Sequence, residues 1–335
     1  MQILSSQLAS ASQGPRRVAS RTVAYSVGLT RCTFVDRTRG VLDYETTKPT
    51  TLSNVRTLVT EIRYPTVSPV RGAIESSGAK PAQRGSGYPM IVFAHGYDVT
   101  PDTYARLIDA WVKAGFVVAA PFFPDENENE VTAQHDANTE DDLVNEPADL
   151  AFVTRRLLDA SAKRSPSCPL VLGLIHASEL ALAGHSDGAT VVGMLSYAHG
   201  NDPQGESYQE LRVGLDYRAT VVMSGAEDGV DPYAPLAPNP ALLVIQSAAD
   251  QCNPAREAVK LYSDIHQAEK WFLELRTAHH LPPFDGVDLP AFNVVTRTST
   301  RFFEIMLEGA KRNLSSRLRQ VITDSSVHPP LGVAC

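Results

Sequence analysis

Short apolar runs of strand length alternate with segments of helical period along most of this chain. Residues 56–64, 90–94, 116–120, 179–183, 219–223, 242–246 and 271–275 read as strands, each rich in β-branched or aliphatic residues and bounded by turn formers. Pro65 and Pro121 are expected to stop the first and third, and the Gly-, Ser- and Pro-rich stretch 69–87 to form a loop. Helices are expected where the period changes. Thr100-Pro101-Asp102 offers a cap, a proline for the first helical position and an acid for the positive helix end. Tyr104, Leu107, Ile108, Trp111 and Val112 follow at helical spacing, and Gly115 closes the helix. Further helices are expected from Pro147, with Leu150, Val153, Leu157 and Leu158 on one face, over 189–198, and over 290–307 with Phe292, Val295, Phe302, Phe303 and Met306.

This alternation is that of an α/β protein, a mostly parallel central sheet with helices on both faces and right-handed crossovers. Residues 26–312 are expected to form one domain, with 1–25 a flexible N-terminal segment and 313–335 a C-terminal tail. The stretch 125–146 breaks the pattern with nine acids in 22 residues and is expected to be a solvated surface excursion. Its alternating acids and asparagines lack the spaced ligands and turn glycine of a calcium loop.

Charge narrows the partners. With 30 Lys+Arg against 38 Asp+Glu and a net charge of -8, the chain lacks the basic stripe that neutralises phosphates, so no nucleic-acid partner is expected. No apolar run approaches the roughly 20 residues that cross a bilayer, and a monomer is the default. Residues 1–13 show no basic start and no apolar core of a secretory leader, although Ala9-Ser10-Ala11 resembles a cleavage site; the compartment stays open. Cysteines 32, 168, 252 and 335 lack metal-site spacing, and their even number permits two disulfides without fixing the pairing. No metal or cofactor is expected.

The candidate chemistry centres on Gly184-His185-Ser186-Asp187-Gly188, placed between the strand 179–183 and a helix. A serine hydroxyl needs an imidazole to take its proton and a carboxylate to orient that imidazole. Sixty-four residues on, the strand 242–246 leads to Asp250, the favoured acid because it continues a clean strand end. Glu227 and Asp228 are the alternatives, and a cap on the helix near Pro254 is Asp250's alternative role. Thirty residues further, the loop after 271–275 carries His279 and His280, one of which is the candidate base. His95 and His185 read as hydrogen-bonding residues within tight backbone elements. An oxyanion formed on attack needs amide donors, here the N–H of Asp187 and that of Tyr97 in His95-Gly96-Tyr97. Tyr97, Phe122, Phe123 and Phe284 are the candidate substrate-contacting aromatics.

The stretches Phe34-Val35-Asp36-Arg37-Thr38-Arg39-Gly40, 56–65, Tyr88 to Gly96, 117–121, Gly184 to Gly188 and Ala278-His279-His280-Leu281-Pro282 together resemble bacterial serine esterases of the α/β-hydrolase superfamily. The relatives in view are dienelactone hydrolases, platelet-activating-factor acetylhydrolases and cutinase-like polyester hydrolases. The resemblance implies that fold, ester hydrolysis through an acyl-enzyme, a small-molecule or polymeric ester substrate, the chain order Ser, Asp, His, and His280 as the base. It also shows two departures. Dienelactone hydrolases typically use cysteine where Ser186 stands, and polyester hydrolases typically carry methionine where Asp187 stands. Polyester or lipase activity is thus the alternative, and a non-catalytic ligand-binding relative the more distant one.

Overall fold

The computed structural model describes residues 25–43, 50–67, 75–134, 142–225, 240–265 and 269–309. β1 (Ser26–Asp36) pairs antiparallel with β4 (Arg56–Thr66), and a small separate ladder joins β2 (Val41–Asp43) to β3 (Thr50–Ser53). After β5 (Glu75–Ser77) come β6 (Tyr88–Ala94), α1 (Ala105–Ala114), β7 (Val117–Pro121), α2 (Glu128–Gln134), α3 (Glu146–Ala162), β8 (Ile175–His185), α4 (Asp187–Tyr197) and α5 (Tyr208–Leu211). β9 (Tyr217–Met223), β10 (Ala241–Ser247), α6 (Ala255–Asp264), β11 (Lys270–Leu275), α7 (Pro282–Asp285) and α8 (Leu289–Glu308) complete the body.

One nine-stranded sheet runs β11-β10-β9-β8-β6-β7-β4-β1-β5, with β4 antiparallel to both neighbours and the other pairings parallel. Successive side chains of a strand point to opposite faces, so each apolar strand feeds two cores. Along β6, Met90, Val92 and Ala94 join Leu150, Leu157, Val191 and Leu261 of α3, α4 and α6. Ile91 and Phe93 join Leu107, Trp111, Val295 and Phe303 of α1 and α8 on the other side. Among the described residues no helix is long and apolar enough to cross a membrane.

Several elements differ from the sequence pattern, among them β5, a short strand inside the expected loop 69–87. β1 was not legible as a strand, because apolar Val35 faces outward with Arg31 and Thr33 while the charged Asp36 is buried with Cys32 and Phe34. β4 continues through Pro65, where β7 no longer runs alongside and the missing N–H costs no ladder bond on that side. The acidic excursion is also not wholly solvated. Residues 135–141 lie outside the described residues, but Glu126, Asp142, Asn145 and Glu146 are buried, and α2 occupies part of the stretch.

Arginines account for part of that burial. The buried Arg56 guanidinium binds Asp142 at 2.9 and 2.5 Å and Asp149 at 2.8 and 2.5 Å. Arg39 adds a 2.6 Å bond to Asp149 and a 2.8 Å bond to Asp36. Paired, bidentate geometry of this kind is what lets charge sit inside a protein. Cys32 of β1 is bridged to Cys168 ahead of β8, with their Cα atoms 5.3 Å apart. Cys252 is likewise disulfide-bonded, and Cys335 lies outside the described residues. The expected end segments, 1–25 and 313–335, fall outside them too, apart from Tyr25.

Candidate active site

The candidate nucleophile sits on a turn that only small neighbours permit. Ser186 has φ 56° and ψ -125° between β8 and α4, a strained region for a residue with a side chain. A Cβ on Gly184 would lie 2.0 Å from the Gly188 carbonyl oxygen, and one on Gly188 2.3 Å from that of Ala94. Both glycines of the pentapeptide are therefore steric requirements of the turn.

Ser186 Oγ lies 2.9 Å from His280 Nε2, and His280 Nδ1 lies 2.9 Å from Asp250 Oδ2. The acid is itself fixed, since Asp250 Oδ1 accepts the backbone N–H groups of Cys252 (3.0 Å) and Asn253 (2.9 Å). Its side chain is fully buried against a His280 ring that keeps 14% exposure, enough to meet a ligand. The alternative role for Asp250 is not observed, because α6 begins after Pro254 with no side-chain cap. Glu227 and Asp228 lie outside the described residues. Ring bonds to Ser186 and Asp250 come from His280, and His279 is a half-buried neighbour.

The loop after β6 is held by two further histidines. Phe123 N–H donates to His95 Nε2 at 3.1 Å, which leaves the proton on Nδ1 to donate to the Gly96 carbonyl at 2.8 Å. Burial pushes His95 down to about 4. On the other side Gly96 N–H meets Tyr104 Oη at 3.4 Å, and the Tyr104 hydroxyl meets His185 Nδ1 at 2.8 Å. His185 Nε2–H is then the donor to the His280 carbonyl at 3.0 Å. Burial, and next the His280 charge, hold His185 well below the usual imidazole range, so it stays neutral. Its ring stacks between those of His280 and Phe284, with both centroids 4.6 Å away. Sequence had placed His95 and His185 in hydrogen-bonding roles. It read Tyr104 only as a helix core residue, and its hydroxyl gave no local signal.

The backbone N–H of Tyr97 faces the same turn and donates to Asp187 Oδ2 at 3.2 Å. Of the four expected aromatics, Tyr97 and Phe122 are half-buried, with the Arg31 guanidinium over the Phe122 ring. Phe123 and Phe284 are placed differently. Both are fully buried against His95 and His185 and have no surface to present to a substrate in this conformation.

Glu146, the first residue of α3, is fully buried, and its Oε2 has no hydrogen-bond partner. Burial pushes its carboxyl well above the usual range, and the charges of Glu126, Asp142, Asp187 and Asp149 push it the same way. Asp250, Cys252 and His280 bring potential ligand atoms within 4.8 Å of one another. The Cys252 sulfur is in a disulfide, however, and is not available as a thiolate.

Comparison with known proteins places the fold. A ferulic acid esterase from Streptomyces cinnamoneus, solved at 2.4 Å, superposes with a TM-score of 0.64 at 17% identity, over 90% of this chain and 97% of that one. The chain has the α/β-hydrolase fold. No family model matches it, and neither does any curated protein. Because 1213 chains of solved structures share the architecture, the likeness carries the fold and leaves function to the site.

Proposed function

We propose that this protein is a serine carboxylic-ester hydrolase, with Ser186 as nucleophile, His280 as general base and acid, and Asp250 as the orienting carboxylate. The observation that carries the reading is the unbroken relay from Ser186 Oγ through both nitrogens of His280 to a buried, backbone-anchored Asp250. The fold neighbour's name, an esterase, adds support.

In this mechanism His280 Nε2 takes the hydroxyl proton as Oγ attacks the ester carbonyl, and Asp250 stabilises the imidazolium by its bond to Nδ1–H. The Asp187 and Tyr97 N–H groups receive the oxyanion. His280 returns the proton to the departing alkoxide, leaving an acyl-Ser186. Water then repeats the sequence to release the acid. A non-catalytic relative has no use for such a relay. A polyester or lipase activity has less support, since two of its four candidate aromatics are enclosed and Asp187 replaces the methionine typical of polyester hydrolases.

The test is hydrolysis of p-nitrophenyl butyrate by wild type and by Ser186→Ala, with fluorophosphonate labelling of both. Wild type is expected to hydrolyse and label. The variant should not label and should lose at least about 10³-fold in kcat. Full activity in the variant sinks the proposal.

A further inference from the structure

The residue after the candidate nucleophile lies close to the donors that an oxyanion would use. Its backbone N–H is one of them, and its own side chain engages the other: Asp187 Oδ2 accepts the Tyr97 N–H at 3.2 Å. That amide has little freedom to turn away. The carbonyl of the same peptide unit is held by His95 Nδ1 at 2.8 Å, and the preceding Gly96 N–H by Tyr104 Oη at 3.4 Å. Gly96 also lies hard against the serine, since a Cβ there would come within 2.8 Å of Ser186 Cβ and 3.4 Å of its Oγ. The loop is pinned on both flanks, so a substrate carbonyl can claim the Tyr97 N–H only if the Asp187 side chain yields it.

Resting on the esterase reading above, we propose that the Asp187 carboxylate is an internal ligand of the oxyanion hole, a self-capping residue that limits turnover of neutral esters. The physical contest favours the cap. An ionised carboxylate is a stronger acceptor than an ester carbonyl. At the first position of the eleven-residue α4 it is further favoured by the helix N-terminus. In the transition state its charge works against catalysis, because the carbonyl oxygen gains negative charge beside an existing one. An uncharged acceptor at this position holds the Tyr97 donor less firmly, and a side chain with no acceptor leaves it to the substrate.

The test compares wild type with Asp187→Asn and Asp187→Met in kcat/KM for p-nitrophenyl butyrate and in affinity for phenylboronic acid, which forms a tetrahedral anion on a serine oxygen. Asparagine keeps an acceptor of the same shape without the charge, and methionine removes the acceptor. Both variants are expected to gain about tenfold in kcat/KM, with boronate binding tightening in parallel and methionine at least equal to asparagine. Variants that melt like wild type but show equal or lower kcat/KM and unimproved boronate affinity overturn the proposal, and assign the carboxylate to bracing the loop. Should methionine fail to fold, the isosteric asparagine decides alone. Wild type that hydrolyses the ester while the variants gain nothing sinks only the cap. Wild type that neither hydrolyses nor binds boronate sinks the esterase reading and the cap with it.

Discussion

His95 Nδ1 and the carbonyl oxygen of Gly96 are 2.8 Å apart, and that contact sets the direction of the next amide. In a trans peptide the C=O and N–H point oppositely, so anchoring the Gly96 carbonyl on the His95 side turns the Tyr97 N–H toward the Ser186 turn. Phe123 N–H, donating to the far ring nitrogen at 3.1 Å, fixes the tautomer that makes this possible.

On the proposed esterase function, His95→Ala is expected to lower kcat by about 10²-fold with little change in KM, because the amide assigned there to the oxyanion loses its aim. Steady-state kinetics decide it, and an unchanged kcat removes His95 from the positioning role.

The same histidine predicts an acid limb in stability. Its folded value, about 4, lies below the ordinary 6.5, so on acidification the unfolded chain takes up a proton that the folded chain refuses. Stability is complete above pH 6.5 and falls toward pH 4 at about 1.4 kcal/mol per pH unit for this group. Urea titrations from pH 7 to 4 should show a shallower fall in His95→Asn, and parallel slopes would count against it.

Tyr104→Phe deletes the hydroxyl between Gly96 and His185 and leaves His185 Nδ1 without its donor. A loss of about 1–3 kcal/mol in stability is expected. A roughly tenfold lower kcat should accompany it, since the His280 carbonyl depends on the orientation of His185. Retention of wild-type kcat despite the stability loss would reduce the relay to packing.

Glu146 should give the opposite pH signature. Its folded value is raised above the ordinary 4.5, so the folded state keeps a proton that the unfolded state has released. The associated stability is full below pH 4.5 and is lost as pH rises toward the folded value, with a slope of about 1.4 kcal/mol per unit in that window. Glu146→Gln should flatten the decline in melting temperature as pH rises above 4.5, and an identical decline in the variant would rule the group out.

Arg56→Met leaves two buried carboxylates, Asp142 and Asp149, without their shared cation. Destabilisation by about 3–5 kcal/mol is expected from chemical denaturation. A change under about 1 kcal/mol would mean that Arg39, already on Asp149, suffices for both.

By itself the sequence determined whatever is written in local period and local sterics. Apolar runs such as 90–94 and 242–246 become strands because both faces of a parallel sheet are dry, and the 290–307 stripe becomes α8 because it must cover that sheet. The glycines around Ser186 announced a turn that any other residue would obstruct. Tertiary structure decided the rest. Only the fold brings Asp250 and His280, 30 residues apart, and Ser186, 94 from His280, within hydrogen-bond reach. Only the fold turns Asp142 of the acidic stretch inward, because its counter-charge comes from Arg56, 86 positions away. It enclosed Phe123 and Phe284 against the two neutral histidines rather than opening them to the cleft. Composition and spacing record what a residue is, whereas its charge state and exposure depend on neighbours that the chain brings from far away.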